Sequence, residues 1–490
     1  MNDRPLMTSR LLPILLASLL AAAPLSAQSL RVPASSPAAT PLDRYVATPD
    51  PAYQWKVVST RQEGDLTITV IDMTSQTWRK AGEVDRTTWR HWLTVIRPSS
   101  VVSDMSLLFI TGGSNDKPEL PKLDPMLATM ATRTRTIVAE IRMIPNQPLT
   151  FADGVPRVED DLIAYGWDKF LKGGDEQWLA RFPMTKAAVR AIDTVQAFAQ
   201  SPEGGRRALT RFVVSGGSKR GWTTWTTAAV DSRVVAIMPA VIDLLNLEPS
   251  FVHHWRAYGF WAPAVEEYVN FGIMAGLGDQ RFRDLLALTE PYTYRERLTI
   301  PKYLVNASGD QFFLPDSWQF YFADLKGESY LRYVPNTDHS LRRSNAADGL
   351  IAYYGALVKG VARPKFTWTA GADGQLQIKP EVTPRKVTFW QATNPAARDF
   401  RLETLGPVWK GTEVTREPDG AYRAAVVAPA KGWTAGFLEV TFDADGEAPL
   451  IFSTGVRVMP DVLPFPAPAA AATPPARASG PARPAAVPRP

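Results

Sequence analysis

Residues 213–222 read Val-Val-Ser-Gly-Gly-Ser-Lys-Arg-Gly-Trp, an apolar run that breaks into glycines around one serine and resumes as a predicted helix. A strand that turns sharply into a helix holds a serine hydroxyl clear of its own backbone, and small neighbours let that strained turn form. The pattern predicts a nucleophile elbow with Ser218 as nucleophile. It departs from Gly-x-Ser-x-Gly because Arg220 takes the second glycine position and Gly221 follows one residue later. An ordinary strand-to-helix loop or a phosphate-contacting loop is the alternative.

Two downstream residues fit the chain order serine, acid, histidine that accompanies such an elbow. Asp310 and His339 each come on a loop directly after a predicted strand. The sequence therefore predicts a triad of Ser218, Asp310 and His339, in which the histidine takes the serine proton and the acid orients the histidine. Asp243, at the end of the strand that follows the nucleophile helix, is the reserve candidate for the acid. A turn role for Asp310 and a loop-capping role for His339 are the alternatives.

A glycine pair after an earlier apolar strand predicts the oxyanion hole. Residues 106–115 read Ser-Leu-Leu-Phe-Ile-Thr-Gly-Gly-Ser-Asn. Acyl transfer needs preorganised donors, because negative charge develops on the carbonyl oxygen in a site that excludes water. We predict one backbone N–H from Gly113 or Ser114, and a second from Lys219, the residue after the nucleophile. A glycine turn without a ligand is the alternative.

The order of predicted elements indicates an α/β fold from residue 51 to residue 363, with the elbow near the centre of the sheet. Strands are predicted at 66–71, 89–96, 105–110, 135–144, 211–215, 234–239, 301–306 and 330–334. Helices are predicted from the spacing of apolar residues at 124–133, 186–200, 219–230, 315–325 and 343–358. Together with the elbow and the triad order, this alternation predicts an α/β-hydrolase fold.

An aromatic segment at 244–298 interrupts the alternation between two core strands. We predict a helical cap over the site, since an aromatic lid shapes a pocket, although plain core packing is the alternative for each ring. His253 and His254 are adjacent, but no third ligand stands at a useful spacing, so no metal site and no cofactor are predicted. The candidate pocket residues are Trp222, His254, Trp255 and Trp261.

After residue 363 the pattern changes to short alternating strands separated by turn residues. Residues 364–460 therefore predict a C-terminal all-β sandwich of immunoglobulin type, without a catalytic cluster of its own. Residues 464–490 are mostly alanine and proline with scattered arginines, which is typical of a disordered tail.

The N-terminal 27 residues have the pattern of an export signal, with a basic start, a short apolar core and small residues before Gln28. Residues 28–50 are a Pro/Ala/Ser linker. The 490-residue chain contains no cysteine, so it forms no disulfide and has no lipidated cysteine at the cleavage site. These features predict a periplasmic or secreted protein without stable membrane insertion after cleavage; an uncleaved anchor is the alternative. A net charge of +5 and the lack of a basic helix predict no nucleic-acid partner.

Four segments together resemble the PhoPQ-activated pathogenicity-related proteins: 111–115, 181–191, 215–225 and 306–313. The resemblance spans about residues 43–458 and implies an exported protein similar to the α/β-hydrolases. The elbow is also similar to that of glucuronoyl esterases, whose motif places arginine directly after the serine. Lys219 stands there, and the resemblance implies that its ammonium could join the oxyanion hole. A lysine offers a point charge where arginine offers a bidentate fork.

These patterns predict an exported serine hydrolase that cleaves a small-molecule or peptide ester or amide through an acyl-enzyme. Carboxylic esters are favoured, because nothing in the sequence marks a clamp for a terminal amine or carboxylate. A binding or signalling protein that keeps the fold without turnover is one alternative. An exported serine aminopeptidase of the same fold is the other.

Overall fold

The computed structural model describes residues 39–117, 119–444 and 448–468. The predicted signal peptide at 1–27 lies outside the described residues, as do the first part of the predicted linker and the tail from residue 469. Part of the predicted linker is ordered: Pro41–Ala47 forms a helix capped by Thr40, and it buries Leu42 and Val46 against the α/β core.

The strands, in chain order, are β1 (Gln54–Glu63), β2 (Leu66–Thr77), β3 (Thr88–Pro98), β4 (Met105–Ile110), β5 (Val138–Ile141), β6 (Leu149–Thr150), β7 (Pro156–Arg157), β8 (Arg211–Gly217), β9 (Val234–Ala240), β10 (Lys302–Ala307), β11 (Ser329–Val334), β12 (Phe366–Ala370), β13 (Gln375–Pro380), β14 (Lys386–Asn394), β15 (Lys410–Glu413), β16 (Tyr422–Ala425), β17 (Trp433–Phe442), β18 (Leu450–Ser453) and β19 (Arg457–Met459).

The α-helices are α1 (Pro41–Ala47), α2 (Pro125–Thr134), α3 (Glu159–Leu171), α4 (Arg181–Gln200), α5 (Lys219–Val230), α6 (Leu247–Tyr258), α7 (Glu266–Asn270), α8 (Gln280–Thr289), α9 (Ala346–Lys359) and α10 (Leu402–Leu405). The helix predicted at 315–325 is wrong: short 3₁₀ turns occupy Ser317–Phe320 and Phe322–Asp324 instead. Side-chain anchors fix this segment, because Trp318 Nε1 donates to Val456 O and the Tyr321 hydroxyl donates to Asp243.

The central sheet begins with β1 at its edge, antiparallel to β2, and continues in the strand order β2-β3-β5-β4-β8-β9-β10-β11. β3 is antiparallel to both of its neighbours, and every later pair in this run is parallel. This order, with a sharp turn after the central strand β8, is the α/β-hydrolase fold. Residues 212–215 of β8 are fully buried, as expected for a parallel strand covered by helices on both faces.

The cap predicted at 244–298 consists of α6, α7, α8 and intervening 3₁₀ turns. It packs on α3 and α5, the helix that begins directly after Ser218. Five of its side chains border the cavity that contains Ser218: Leu244, Leu247, Phe251, Val265 and Tyr268. The cap therefore covers the cavity that contains Ser218.

The C-terminal strands form two sheets, and one of them continues the central sheet. β18 pairs antiparallel with β11, and β17, β14 and β15 follow it outward. β12, β13 and β16 form a separate three-stranded sheet. Leu376 and Ile378 of that sheet share an apolar cluster with Leu438 and Val440 of β17. The described region from β12 onward thus consists of strands and loops apart from the four-residue helix α10, and its immunoglobulin type stays a prediction.

Within residues 39–117, 119–444 and 448–468, no helix combines the length and apolarity that a membrane crossing needs. In the same part of the chain, His, Cys, Asp and Glu side chains form no group of three or more that could hold a metal ion.

Candidate active site

Ser218 lies on a strained turn between β8 and α5. Its backbone has φ 58° and ψ −128°, a conformation that non-glycine residues rarely adopt. A Cβ at Gly221 would lie 2.9 Å from Ile242 Cγ2, and one at Gly216 would lie 3.0 Å from Ile110 O. Both glycines are therefore needed for close packing of the turn. Gly221 fills this role although it comes one residue later than in the common motif.

Asp310 and His339 meet at the carboxyl ends of β10 and β11. His339 Nδ1 donates to Asp310 Oδ2 over 2.8 Å, and the carboxylate is almost fully buried. The other oxygen, Oδ1, accepts the backbone N–H groups of Phe312 (2.8 Å) and Phe313 (3.3 Å). These bonds orient the carboxylate. With its Nδ1 proton held by Asp310, the imidazole has Nε2 available as a base.

His339 Nε2 is buried and makes no hydrogen bond to any described residue, so the bond to Ser218 Oγ is not formed. The imidazole packs against Phe312 and Phe313, with ring centroids 4.3 and 5.8 Å away. Both phenylalanines line the cavity that contains Ser218. The imidazole of His339 and the cavity beside Ser218 thus have Phe312 and Phe313 as common neighbours. Catalytic hydrogen bonds are often long without a ligand and shorten when substrate binds.

Asp243, the reserve candidate for the acid, is engaged elsewhere. Its Oδ1 accepts from the Tyr321 hydroxyl and its Oδ2 from the Tyr333 hydroxyl, each over 2.6 Å. Burial raises the pKa of Asp243 to about 7, although both hydrogen bonds lower it. The tyrosines use both oxygens of Asp243, and the carboxylate that contacts His339 is that of Asp310.

The glycine loop after β4 is held by its carbonyl groups. Gly112 O accepts from Met143 N over 3.0 Å, and Gly113 O accepts from Gln147 Nε2 over 3.1 Å. In a trans peptide the next N–H points opposite to the carbonyl, so the N–H groups of Gly113 and Ser114 face away from these partners. Gly113 has φ 139°, which favours glycine. The N–H of Lys219 begins α5, and the first N–H groups of a helix have no acceptor within it.

Arg220 ties the elbow to the glycine loop. Its Nε donates to Ile144 O and its Nη2 to Glu159 Oε1, each over 2.5 Å. A Cβ on Gly112 would lie 2.9 Å from Arg220 Cζ, so the guanidinium lies directly against this glycine. The arginine that breaks the common motif thus supports the loop that carries the candidate oxyanion donors.

The Lys219 ammonium is already paired. It lies 2.8 Å from Glu159 Oε2 and 2.9 Å from Asp160 Oδ2, and the side chain is buried. Burial disfavours a charged Glu159, but Arg220 and Lys219 outweigh this and hold the pKa of Glu159 far below its usual range. The expectation that the ammonium joins the oxyanion hole does not fit this pairing. The candidate donor at this position is the backbone N–H of Lys219.

A cavity of about 30 Å³ lies beside Ser218 under the cap. Of the predicted pocket residues, Trp222 lines it and the other three do not. His254 is buried and accepts from Ala262 N over 3.0 Å, and burial lowers its pKa to about 3. Trp255 and Trp261 pack against each other with ring centroids 5.1 Å apart. These three residues pack within the cap, where His254 is buried and the two tryptophans are half-buried.

A larger cleft of about 510 Å³ lies elsewhere, bordered by Asp104 before β4 and Arg211 at the start of β8. A strand rises by about 3.3 Å per residue, so the seven residues of β8 separate this cleft from Ser218.

The sequence profile of the PhoPQ-activated pathogenicity-related proteins matches residues 42–401. The chain belongs to this family. Its family membership, predicted from four short segments, is thereby confirmed. This PhoPQ-related chain is also 36% identical over 456 residues to autocrine proliferation repressor protein A of Dictyostelium discoideum, covering 87% of this chain and 92% of that one.

Solved esterase structures resemble the PhoPQ-related chain at low identity. Acetyl xylan esterase 1 from a Thermoanaerobacterium species has 14% identity and a TM-score of 0.45, with 65% of this chain and 92% of that chain covered. Glucuronoyl esterase from Solibacter usitatus has 12% identity and a TM-score of 0.34, with 56% and 72% covered.

Several residues that line the cavity beside Ser218 in this PhoPQ-related chain were not predicted from the sequence. Asp160 and Tyr268 line the cavity, where the tyrosine hydroxyl donates to the carboxylate over 3.1 Å. Arg181 lines the cavity as well, from the start of α4. It opens one of the segments that carry the family resemblance, and this was the signal in the sequence that pointed to it.

Proposed function

We propose that the chain is a serine hydrolase that cleaves a carboxylic ester through an acyl-enzyme, with Ser218 as nucleophile, His339 as base and Asp310 as the orienting acid. The observation that carries the proposal is the bond from His339 Nδ1 to Asp310 Oδ2, which leaves Nε2 without a partner among the described residues. The imidazole packs on Phe312 and Phe313, and both of these side chains line the cavity that contains Ser218. Export, proposed from residues 1–27, places this activity outside the cytoplasm.

In the proposed reaction Ser218 Oγ attacks the ester carbonyl carbon while His339 Nε2 takes the hydroxyl proton. The carbon–oxygen bond to the alcohol then breaks, and the imidazolium returns the proton to the leaving alcohol. Water attacks the acyl-enzyme, loses a proton to His339 and releases the carboxylic acid and free Ser218. The backbone N–H groups of Gly113 or Ser114 and of Lys219 would stabilise the oxyanion in both halves.

Active-site labelling tests the proposal. Wild-type protein is expected to react with a fluorophosphonate probe at Ser218, because His339 activates the hydroxyl. Ser218→Ala and His339→Ala are expected to lose the label. Ser340→Ala, an exposed serine beside His339, serves as the control and should label like wild type. The modified residue is read by peptide mass spectrometry, and absence of label in folded wild-type protein would count against the triad.

Gly112→Ala tests the oxyanion loop. The added methyl group would collide with the Arg220 guanidinium, and because Ile144 O and Glu159 hold that guanidinium in place, we expect the loop to shift. Losing one oxyanion donor costs about 10²–10³ in kcat, so a fall of this order is expected for 4-nitrophenyl acetate hydrolysis. Gly355→Ala in α9 is the matched control, since its Cβ would meet nothing within 4 Å. Equal turnover in both variants would remove the loop from the mechanism.

A second candidate function is signalling without turnover. The Dictyostelium relative is named for repression of proliferation, which is a regulatory effect rather than a reaction. A fold can keep its site geometry and lose catalysis. This candidate is favoured if wild-type protein is folded, takes no fluorophosphonate label and hydrolyses no ester.

A further inference from the structure

Arg181 is a buried cation in the wall of the proposed catalytic cavity. It is the first residue of α4, only 4% of its surface is exposed, and it lines the same cavity as Ser218. Its Nη1 donates to Lys219 O over 3.0 Å, and its guanidinium lies over Trp222 with Cζ 4.4 Å from the ring centroid. Its Nε is buried and has no hydrogen-bond partner among the described residues.

The other charges around this cavity are paired. Lys219 contacts both Glu159 and Asp160, and Arg220 contacts Glu159. Asp160 also accepts from the Tyr268 hydroxyl. Within the described residues, no carboxylate lies within ion-pair distance of Arg181. Three cations thus face two carboxylates. Asp160 and the Tyr268 hydroxyl favour the charged form of Arg181, but neither forms an ion pair with it, so the excess positive charge lies on Arg181.

A buried charge without a counter-ion is costly, so a protein rarely keeps one without a use. An arginine binds a carboxylate well because its planar guanidinium presents several N–H donors, and stacking on Trp222 holds that plane in place. The cavity beside it is narrow, which limits the occupant to a short group. The missing counter-ion is therefore best supplied by a small anionic ligand that enters the cavity.

We propose that Arg181 binds a carboxylate of the substrate, so that the chain prefers short esters whose acyl part carries an anionic group. This inference rests on the proposed serine hydrolase function and adds its substrate class. Binding of a substrate carboxylate by Arg181 also favours an esterase for anionic substrates over an aminopeptidase. An aminopeptidase needs an acceptor for a terminal ammonium, and the carboxylates of Glu159 and Asp160 are already neutralised.

Three methyl esters of matched length test the preference: monomethyl succinate is anionic, methyl 4-oxopentanoate is neutral and methyl 4-aminobutanoate is cationic. Methanol release gives kcat/KM for each. Hydrogen bonds to charged groups contribute about 1.5–3 kcal/mol, so we expect monomethyl succinate to be cleaved about 10- to 100-fold more efficiently than the neutral ester. The cationic ester should be the poorest substrate. Equal rates for the anionic and neutral esters, or a preference for the cationic one, would overturn the inference.

Arg181→Met keeps an unbranched apolar stem, two atoms shorter than that of arginine, and removes the charge. The ratio of kcat/KM for monomethyl succinate to that for methyl 4-oxopentanoate should fall to about one, while Arg181→Lys should keep part of the preference. If Arg181 only anchors the backbone at Lys219, both esters will lose rate equally and the ratio will not change. That result contradicts the substrate class.

Protection from labelling gives a readout that does not depend on turnover or on the variants. Succinate is expected to slow fluorophosphonate labelling of wild-type Ser218, and 1,4-butanediol is not. Labelled protein that neither cleaves monomethyl succinate nor is protected by succinate overturns the inference and leaves the hydrolase proposal intact. Absence of labelling and of all ester cleavage overturns the hydrolase proposal itself.

Discussion

Asp310→Asn is expected to lower kcat for ester hydrolysis by about 10⁴-fold with little change in folding. Phe312 N and Phe313 N both donate to Asp310 Oδ1, so they should hold the amide oxygen of the new asparagine at that position. The amide nitrogen then faces His339 Nδ1 and donates to it. The imidazole must carry its proton on Nε2 instead, and it can no longer accept the proton of Ser218.

Asp243→Asn is the matched control for this substitution. Asp243 is also a buried carboxylate at the end of a core strand, but its partners are Tyr321 and Tyr333. A tyrosine hydroxyl can donate or accept, so an asparagine can satisfy both partners. This variant is expected to keep most of its turnover of 4-nitrophenyl acetate. The reverse result, with Asp243→Asn inactive and Asp310→Asn active, would assign the acid to Asp243.

Asp316→Asn is expected to lower the free energy of unfolding by about 3–5 kcal/mol, the usual cost of breaking a buried ion pair. Asp316 Oδ2 lies 2.5 Å from Arg398 Nη2, and Oδ1 lies 3.0 Å from His253 Nε2. All three side chains are buried. Burial opposes the charge on Asp316, but Arg398 and His253 outweigh it and hold the pKa of Asp316 far below its usual range. The substitution leaves Arg398 as a buried charge without a partner.

Urea unfolding followed by tryptophan fluorescence measures this loss. The double variant Asp316→Asn/Arg398→Met removes the unpaired cation and should recover part of the stability. Asp419→Asn breaks an ion pair with Arg423 at the surface, and it should leave the unfolding midpoint nearly unchanged. A midpoint for Asp316→Asn that matches Asp419→Asn would show that the buried cluster adds no stability.

The elbow, the order of the candidate triad and the strand alternation could be predicted because each depends on a local pattern. Ser218 stands between glycines, and Asp310 and His339 each follow an apolar strand. In a parallel sheet the ends of neighbouring strands meet at one edge, so local positions were enough to bring these residues to the same region.

Partners far apart in the chain could not be predicted. Lys219 lies 60 residues after Glu159 in the sequence, and nothing near either residue indicates their ion pair. The tyrosines that use both oxygens of Asp243 come 78 and 90 residues later. Long-range contacts of this kind decide whether a lysine is free to bind an oxyanion and whether an aspartate is free to orient a histidine.

Because β18 pairs with β11, the C-terminal strands and the α/β sheet form one structural unit in evolution and in protein engineering. His339 follows β11, whose outer hydrogen-bonding edge is covered by β18 through Leu331 and Ser453. A chain cut at residue 363 would expose that edge, and an exposed strand edge is a template for self-association. The strand ends five residues before His339. The C-terminal strands are therefore not a detachable accessory module: gain, loss or exchange of this region acts directly on the strand that carries the proposed base.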